Sequence, residues 1–138
     1  MDKIFIDSSA WIAFAVGDEP RHKEVLRSVE EALSASVALF TSNDIVDETL
    51  TRLVTTIGFH KTKLFHTRFG LLMKKGYVQQ LWVDEVLQGE AWQVLEKFSD
   101  HRLSFTDATT IVIMKRYAIP KILTLDSDFT KVGISVLP

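Results

Sequence analysis

Two kinds of hydrophobic pattern alternate along the chain. Short, continuous apolar runs rich in Val, Ile and Leu are typical of β-strands, whereas apolar residues recurring every three or four positions are typical of helices. The predicted strands are Ile4–Ile6, Val37–Phe40, Val78–Val83, Ile122–Leu125 and Ile134–Leu137. The predicted helices lie between them, at Ser8–Val16, Pro20–Leu33, Asn43–Gly58, His60–Lys75, Asp84–Phe98 and Phe105–Tyr117.

This alternation predicts an α/β fold, because strands that alternate with helices pair in parallel through crossover connections. We expect one domain over residues 1–138, with a mostly parallel five-stranded sheet. Most of the strand runs are apolar throughout, which indicates that helices cover both faces of the sheet. The three tryptophans, Trp11, Trp82 and Trp92, are expected in the core.

Composition narrows the class of protein. The 138 residues are 46% hydrophobic and 25% charged, which is typical of a globular protein. There is no cysteine, and the pattern predicts neither a signal peptide nor a membrane span, so we expect a soluble cytoplasmic protein. The net charge of −2 argues against a generally basic nucleic-acid binder.

The charged residues are not evenly distributed along the chain. Residues 49–83 contain six Lys or Arg and no acidic residue. Such an asymmetry is found on polyanion-binding surfaces, but it is also found on solvated helix faces. The sequence alone leaves both interpretations open.

Acidic residues follow the ends of several predicted strands. Asp7 follows the first strand, and Asp126 and Asp128 follow the fourth. Glu48 lies early in the helix after the second strand, and Asp107 lies at the start of a later helix. Ligands of open parallel sheets bind at the carboxyl ends of the strands, so these acids should lie near one another.

Each acid taken singly has a structural explanation, since Asp forms turns and favours helix N-termini. A group of converging carboxylates, however, is destabilising unless a cation neutralises it. Mg²⁺ and Mn²⁺ prefer oxygen ligands, and one or two such ions can activate water for attack on phosphorus. The sequence therefore favours phosphodiester hydrolysis, and its lack of cysteine does not suit zinc.

Four segments together resemble a known family. They are "FIDSSAWIA", "TSNDIVDETLTRL", "LSFTDATTIVIMKR" and "ILTLDSDF". Their order and spacing resemble the four acidic motifs of PIN-domain ribonucleases, many of which are the toxins of VapBC toxin–antitoxin pairs. The resemblance covers essentially the whole chain. It implies a Rossmann-like, three-layer α/β/α fold and a Mg²⁺- or Mn²⁺-dependent endoribonuclease.

The resemblance also implies roles for individual residues. The catalytic acids would be Asp7, Glu48, Asp107 and Asp126. The metal ligands would be Asp7, Asp107, Asp126 and, as an auxiliary acid, Asp128, with Ser8 and Thr124 as polar neighbours. Many relatives have an apolar residue before the glutamate where this chain has Asp47, so Asp44 or Asp47 could be mistaken for Glu48.

Partners follow from the same resemblance. The substrate would be RNA, and the protein would form a homodimer and bind a cognate antitoxin. The candidate RNA-binding residues are Arg52, Lys61, Lys63, Arg68, Lys115 and Arg116. The alternatives are a housekeeping RNA-processing nuclease, a non-catalytic PIN-like RNA- or protein-binding module, and a phosphohydrolase of the haloacid-dehalogenase type. The last would need an Asp where Ser9 stands.

Overall fold

A computed structural model describes residues 2–138 of the chain. Within this range, five short strands form one sheet: β1 (Lys3–Ile6), β2 (Ala38–Ser42), β3 (Val78–Leu81), β4 (Lys121–Leu123) and β5 (Ser135–Leu137). Their order across the sheet is β3-β2-β1-β4-β5, and every neighbouring pair is parallel. The predicted α/β class and five-stranded sheet are confirmed.

In the part of the chain that the structure describes, six helices connect the strands: α1 (Ser8–Ala15), α2 (His22–Ser34), α3 (Asn43–Lys74), α4 (Glu85–Lys97), α5 (Phe105–Arg116) and α6 (Asp128–Lys131). The helix α3 contains the two helices predicted from the sequence. Gly58 interrupts it with φ 83° and ψ 166°, a conformation that is essentially restricted to glycine. The break therefore lies where the sequence predicted a helix to end.

Two boundaries differ from the sequence prediction. Ser42, not Asn43, caps α3, since its Oγ accepts a hydrogen bond from the Ile45 amide over 3.1 Å. The Asn43 side chain instead accepts a hydrogen bond from the Val83 amide over 2.6 Å. This contact ties the chain after β3 to the start of α3. The strand β3 itself ends at Leu81, two residues before the predicted end at Val83.

Trp11 joins the first helix to the third in the core. Its ring centroid lies 6.0 Å from that of Phe65 and 5.2 Å from that of Phe69, both edge-on. Its indole nitrogen donates to Thr41 Oγ1, which in turn donates to the carbonyl oxygen of Ile6. A buried tryptophan needs such a partner for its N–H. This packing fixes α1, and thus the residues after β1, against the sheet.

The other two tryptophans lie on the surface, so the prediction that they belong to the core is wrong. Trp82 is 67% exposed and Trp92 is 57% exposed. Trp82 follows the edge strand β3, and Trp92 lies on α4. Their hydrophobicity suggested burial, but the buried positions of these segments are filled by Leu81, Val83 and Ala91.

Among residues 2–138, no helix combines the length and the hydropathy that a membrane crossing requires.

Candidate active site

Asp7 lies at the carboxyl end of the central strand β1. Its amide donates to the carbonyl oxygen of Leu123, so the β1–β4 pairing holds the residue in place. Its side chain is buried, and its Oδ2 accepts a hydrogen bond from Thr124 Oγ1 over 2.7 Å. Burial raises the pKa of Asp7 to about 6, against the lowering effect of the Thr124 bond, and the charges of Asp107 and Glu48 raise it further.

The loop after β4 is organised around Thr124. The Asp126 amide donates to Thr124 Oγ1 over 3.1 Å, and the Asp128 amide donates to Asp126 Oδ1 over 2.9 Å. Ser9 Oγ lies 3.1 Å from Thr124 Oγ1 and accepts the amide hydrogen of Leu125. The first two of these hydrogen bonds form the turn after β4, and the contacts with Ser9 hold this turn against the residues after β1. Asp126 and Asp7 thereby line the same cavity.

Glu48 reaches the same place from the second turn of α3. Ser8 Oγ donates to Glu48 Oε1 over 2.7 Å, and Arg52 Nη2 lies 3.4 Å from the same oxygen. Both contacts use Oε1. Neither Asp44 nor Asp47 lines the cavity that Glu48 faces. Burial and the charge of Asp47 raise the pKa of Asp44.

Asp107 approaches from the first turn of α5. Ser104 and Asp107 form a capping box, in which each side chain bonds the other residue's amide over 3.0 Å. Burial raises the pKa of Asp107 against the effect of these bonds, and the charges of Asp126 and Glu48 add to the rise. Asp107 therefore both stabilises the N-terminus of α5 and belongs to the acidic site.

These segments enclose a cavity of about 290 Å³ at the carboxyl edge of the sheet. Its lining consists of four carboxylates, two guanidinium groups and three serines: Asp7, Glu48, Asp107, Asp126, Arg52, Arg102, Ser8, Ser9 and Ser104. The predicted acids Asp7, Glu48, Asp107 and Asp126 therefore come together. Asp128 does not line the cavity, and its Oδ1 lies 3.3 Å from Lys131 Nζ.

The donor set suits a hard cation. Carboxylate oxygens are the ligands that Mg²⁺ and Mn²⁺ prefer. Burial first, and neighbouring acids second, raise the pKa of Asp7 and of Asp107. Within residues 2–138, no three acidic or histidine side chains are already gathered at metal-binding distance.

The sequence did not predict that three of the residues lining the cavity belong to the site: Ser9, Arg102 and Ser104. The segment "DSS" does, however, place two hydroxyl groups directly after Asp7. Arg102 lies two residues before Ser104, the N-cap of α5, and five residues before Asp107. This closeness to Asp107 along the chain is the feature of the sequence that could have predicted Arg102 as a site residue.

The predicted RNA-binding residues are spread over several surfaces. Arg52 lines the acidic cavity, whereas Lys61 and Arg68 line a groove of about 300 Å³ between α3 and the chain after α1. Lys63 lies beside an apolar pocket at the α3 break. Lys115 and Arg116 lie in the groove between α4 and α5, where Arg116 pairs with Glu90 at 2.9 Å.

A family model described as "PIN domain" matches residues 4–135. The chain belongs to the PIN domain family. This confirms the resemblance and favours it over the haloacid-dehalogenase alternative. PIN nucleases generally depend on divalent metal ions.

This PIN domain is similar to curated relatives over most of its length. It is 28% identical over 130 residues to the 23S rRNA-specific endonuclease VapC20 of Mycobacterium tuberculosis, covering 94% of each chain. It is also 28% identical to Ribonuclease VapC6 of Methanocaldococcus jannaschii over an alignment of 149 residues with its gaps, which covers 94% of this chain and 92% of the relative.

Solved structures have the same fold. The crystal structure of VapC20, described as a sarcin-ricin loop cleaving toxin, matches with a TM-score of 0.80 and 27% identity, covering 98% of this chain and 99% of that one. VapBC2 from Rickettsia felis, bound to a DNA fragment from its promoter, matches with a TM-score of 0.71 and 9% identity, covering 97% and 96%. The second match shows the fold alone.

Proposed function

We propose that this PIN domain is a metal-dependent endoribonuclease that hydrolyses RNA phosphodiester bonds, and that it is the toxin of a type II toxin–antitoxin pair. The observation that carries the proposal is the convergence of Asp7, Glu48, Asp107 and Asp126 on one cavity. These residues come from four separate segments of the chain, so no local turn or cap explains their meeting. The activities named for VapC20 and VapC6 support the same reaction.

The charge of the cavity supports a divalent cation. Four carboxylates and two guanidinium groups line it, which leaves a formal charge of −2 when all are ionised. One Mg²⁺ or Mn²⁺ ion balances that charge, and Asp7, Asp107 and Asp126 are the residues that would hold it. When bound, such an ion lowers the pKa of water and draws the phosphate toward the acids. Asp128 would act indirectly, because its amide orients Asp126.

The chain's own residues then prepare the reaction. Thr124 fixes one oxygen of Asp7, and Ser8 and Arg52 fix one oxygen of Glu48, so that Glu48 Oε2 can accept a proton from the attacking water. The new bond joins the water oxygen to phosphorus, and the bond from phosphorus to one ribose oxygen breaks. That ribose oxygen takes a proton from solvent. Positioned acid–base groups of this kind contribute about 10²–10⁴-fold to a rate.

Cleavage of RNA by the purified chain tests this function. We expect cleavage with Mg²⁺ or Mn²⁺, none with excess EDTA, and a loss of at least about 100-fold for Asp7→Asn or Asp107→Asn. Glu30→Gln is the matched control, since Glu30 is an exposed acid on α2 and does not line the cavity. Equal cleavage by all four proteins would overturn the proposal.

The substrate proposal is ribosomal RNA. VapC20 is named as specific for 23S rRNA, and this chain is 28% identical to it over nearly its whole length. Intact 23S rRNA and an oligonucleotide of its sarcin-ricin loop are therefore the first substrates to compare. Cleavage at one position in rRNA, with none in tRNA or mRNA of equal concentration, supports this substrate class.

The partners are proposed with the function. We infer that residues 1–138 act as one domain, that the protein forms a homodimer and that an antitoxin binds it. We also propose that it acts in the cytoplasm. Exposed apolar side chains on α3 support such interfaces: Val54, Phe59, Leu64 and Leu71. Light scattering of the purified chain measures its mass, and co-expression with the neighbouring open reading frame measures whether growth inhibition is relieved.

A further inference from the structure

Arg102 lies in the acidic cavity without an acidic partner. It lines the cavity together with the four carboxylates, yet it forms no ion pair with any of residues 2–138. The cavity's other guanidinium group differs in this respect, because Arg52 Nη2 lies 3.4 Å from Glu48 Oε1. A cation beside several acids that pairs with none of them is available to an anion that enters from outside.

Each of the four carboxylates accepts a hydrogen bond from a group other than Arg102. Thr124 donates to Asp7, and Ser8 donates to Glu48. The Ser104 amide donates to Asp107, and the Asp128 amide donates to Asp126. Arg102 is not among the donors to these carboxylates within residues 2–138, so its guanidinium group is available to another anion.

The loop that carries Arg102 is anchored on both sides. On one side, the His101 amide donates to the carbonyl oxygen of Phe98 over 2.9 Å, and the two rings pack edge-on with centroids 5.7 Å apart. On the other side, the capping box of Ser104 and Asp107 fixes the start of α5. Arg102 thus has a defined backbone position at the cavity, although its side chain is exposed.

We propose that Arg102 binds the non-bridging oxygens of the scissile phosphate and stabilises the negative charge that these oxygens gain in the transition state. This rests on the proposed nuclease function and adds a residue to it. Guanidinium presents a planar pair of N–H donors that matches two phosphate oxygens, which an ammonium group does not. The positive charge also reduces the repulsion between the entering phosphate and the carboxylates.

The test compares kcat and KM of Arg102→Ala, Arg102→Lys and the parent on an RNA that the parent cuts. We expect kcat to fall by about 100-fold for Arg102→Ala, as for the loss of one transition-state donor in other enzymes. Arg102→Lys should be intermediate, because it keeps the charge and loses the paired donors. Millimolar guanidinium chloride should restore part of the activity of Arg102→Ala.

Two controls separate this proposal from the function on which it rests. Arg27→Ala removes an exposed arginine of α2 that lies outside the cavity, and it should leave kcat and KM unchanged. Asp7→Asn should be inactive with or without guanidinium. If the parent cuts RNA and Asp7→Asn does not, the nuclease function stands whatever Arg102 does.

Three results would overturn the role of Arg102. The first is a kcat for Arg102→Ala equal to that of Arg27→Ala. The second is a rise in KM alone, which would indicate only attraction of RNA to the site. The third is a loss of activity that guanidinium does not restore and that accompanies a lower unfolding temperature, which would indicate a structural role in the loop.

Discussion

Thr124 Oγ1 donates a hydrogen bond of 2.7 Å to Asp7 Oδ2 across 117 residues of sequence. The same hydroxyl oxygen accepts the Asp126 amide hydrogen over 3.1 Å. One threonine therefore joins the acid after β1 to the acid after β4, and both hydrogen bonds are buried or half-buried. The relative position of these two carboxylates depends on a side chain that is not itself acidic.

Replacement of this hydroxyl should separate the two acids. Thr124→Val keeps the shape of the side chain but leaves Asp7 without its donor and the Asp126 amide without its acceptor. We expect a loss of about 1–3 kcal/mol in the free energy of unfolding, measured by urea denaturation, and weaker binding of Mn²⁺. Thr124→Ser keeps the hydroxyl and is the control; an equal loss in both variants would contradict this explanation.

The pH dependence of stability should reveal the buried acid. Burial raises the pKa of Asp7 from 3.8 to about 6, so the folded state holds this proton more tightly than the unfolded state. Its contribution to stability is complete below pH 3.8 and is lost as the pH rises through about 6. The free energy of unfolding without divalent cations should therefore fall by up to about 3 kcal/mol over this range from Asp7 alone.

Asp7→Asn isolates that contribution. Asparagine resembles the protonated acid and can still accept the Thr124 hydrogen bond, so the variant should be more stable than the parent at pH 7.5. Its advantage should shrink at pH 5, where Asp7 is mostly protonated in the folded parent. Urea denaturation in EDTA at several pH values measures the difference, and an advantage that does not change with pH would argue against the buried charge.

Divalent cations should stabilise the folded chain through the same cavity. At a free concentration 100 times the dissociation constant, one bound ion adds about 2.7 kcal/mol, which corresponds to a rise of roughly 5–10 °C in unfolding temperature for a chain of this size. Thermal denaturation with Mg²⁺ and with Mn²⁺ measures the rise. Glu30→Gln should show the full effect and Asp7→Asn little of it; a full rise in Asp7→Asn would place the ion elsewhere.

The break in α3 at Gly58 allows a test of the fold that does not involve the acidic cavity. Gly58→Ala places a side chain at φ 83°, ψ 166°, which should cost about 1–3 kcal/mol. Gly70 lies in the regular part of the same helix, and an added Cβ there meets no atom within 4 Å. Gly70→Ala should therefore stabilise the protein by up to about 1 kcal/mol. In thermal denaturation, we expect the unfolding temperature to fall for Gly58→Ala and to rise for Gly70→Ala.

Much of the fold could be predicted from the sequence because its signals are local. The strand runs, the helical repeats and the break at Gly58 each depend on residues within a few positions of one another. The carboxyl ends of the strands followed from the same pattern, which placed Asp7 and Asp126 at one edge of the sheet. The hydrophobic run around Trp82 shows the limit, since it correctly indicated a strand but did not indicate that this tryptophan is exposed.

The sequence by itself determined that acids from several segments would meet where parallel strands end. The resemblance had already selected Glu48 over Asp44 and Asp47. Only the tertiary structure decided that Asp126 and not Asp128 lines the cavity, and that Arg102 joins it from the loop before α5. The physical reason is that these choices depend on the order of the strands, the rotation of α3 and α5 against the sheet, and hydrogen bonds between residues such as Ser8 and Glu48 that lie 40 positions apart.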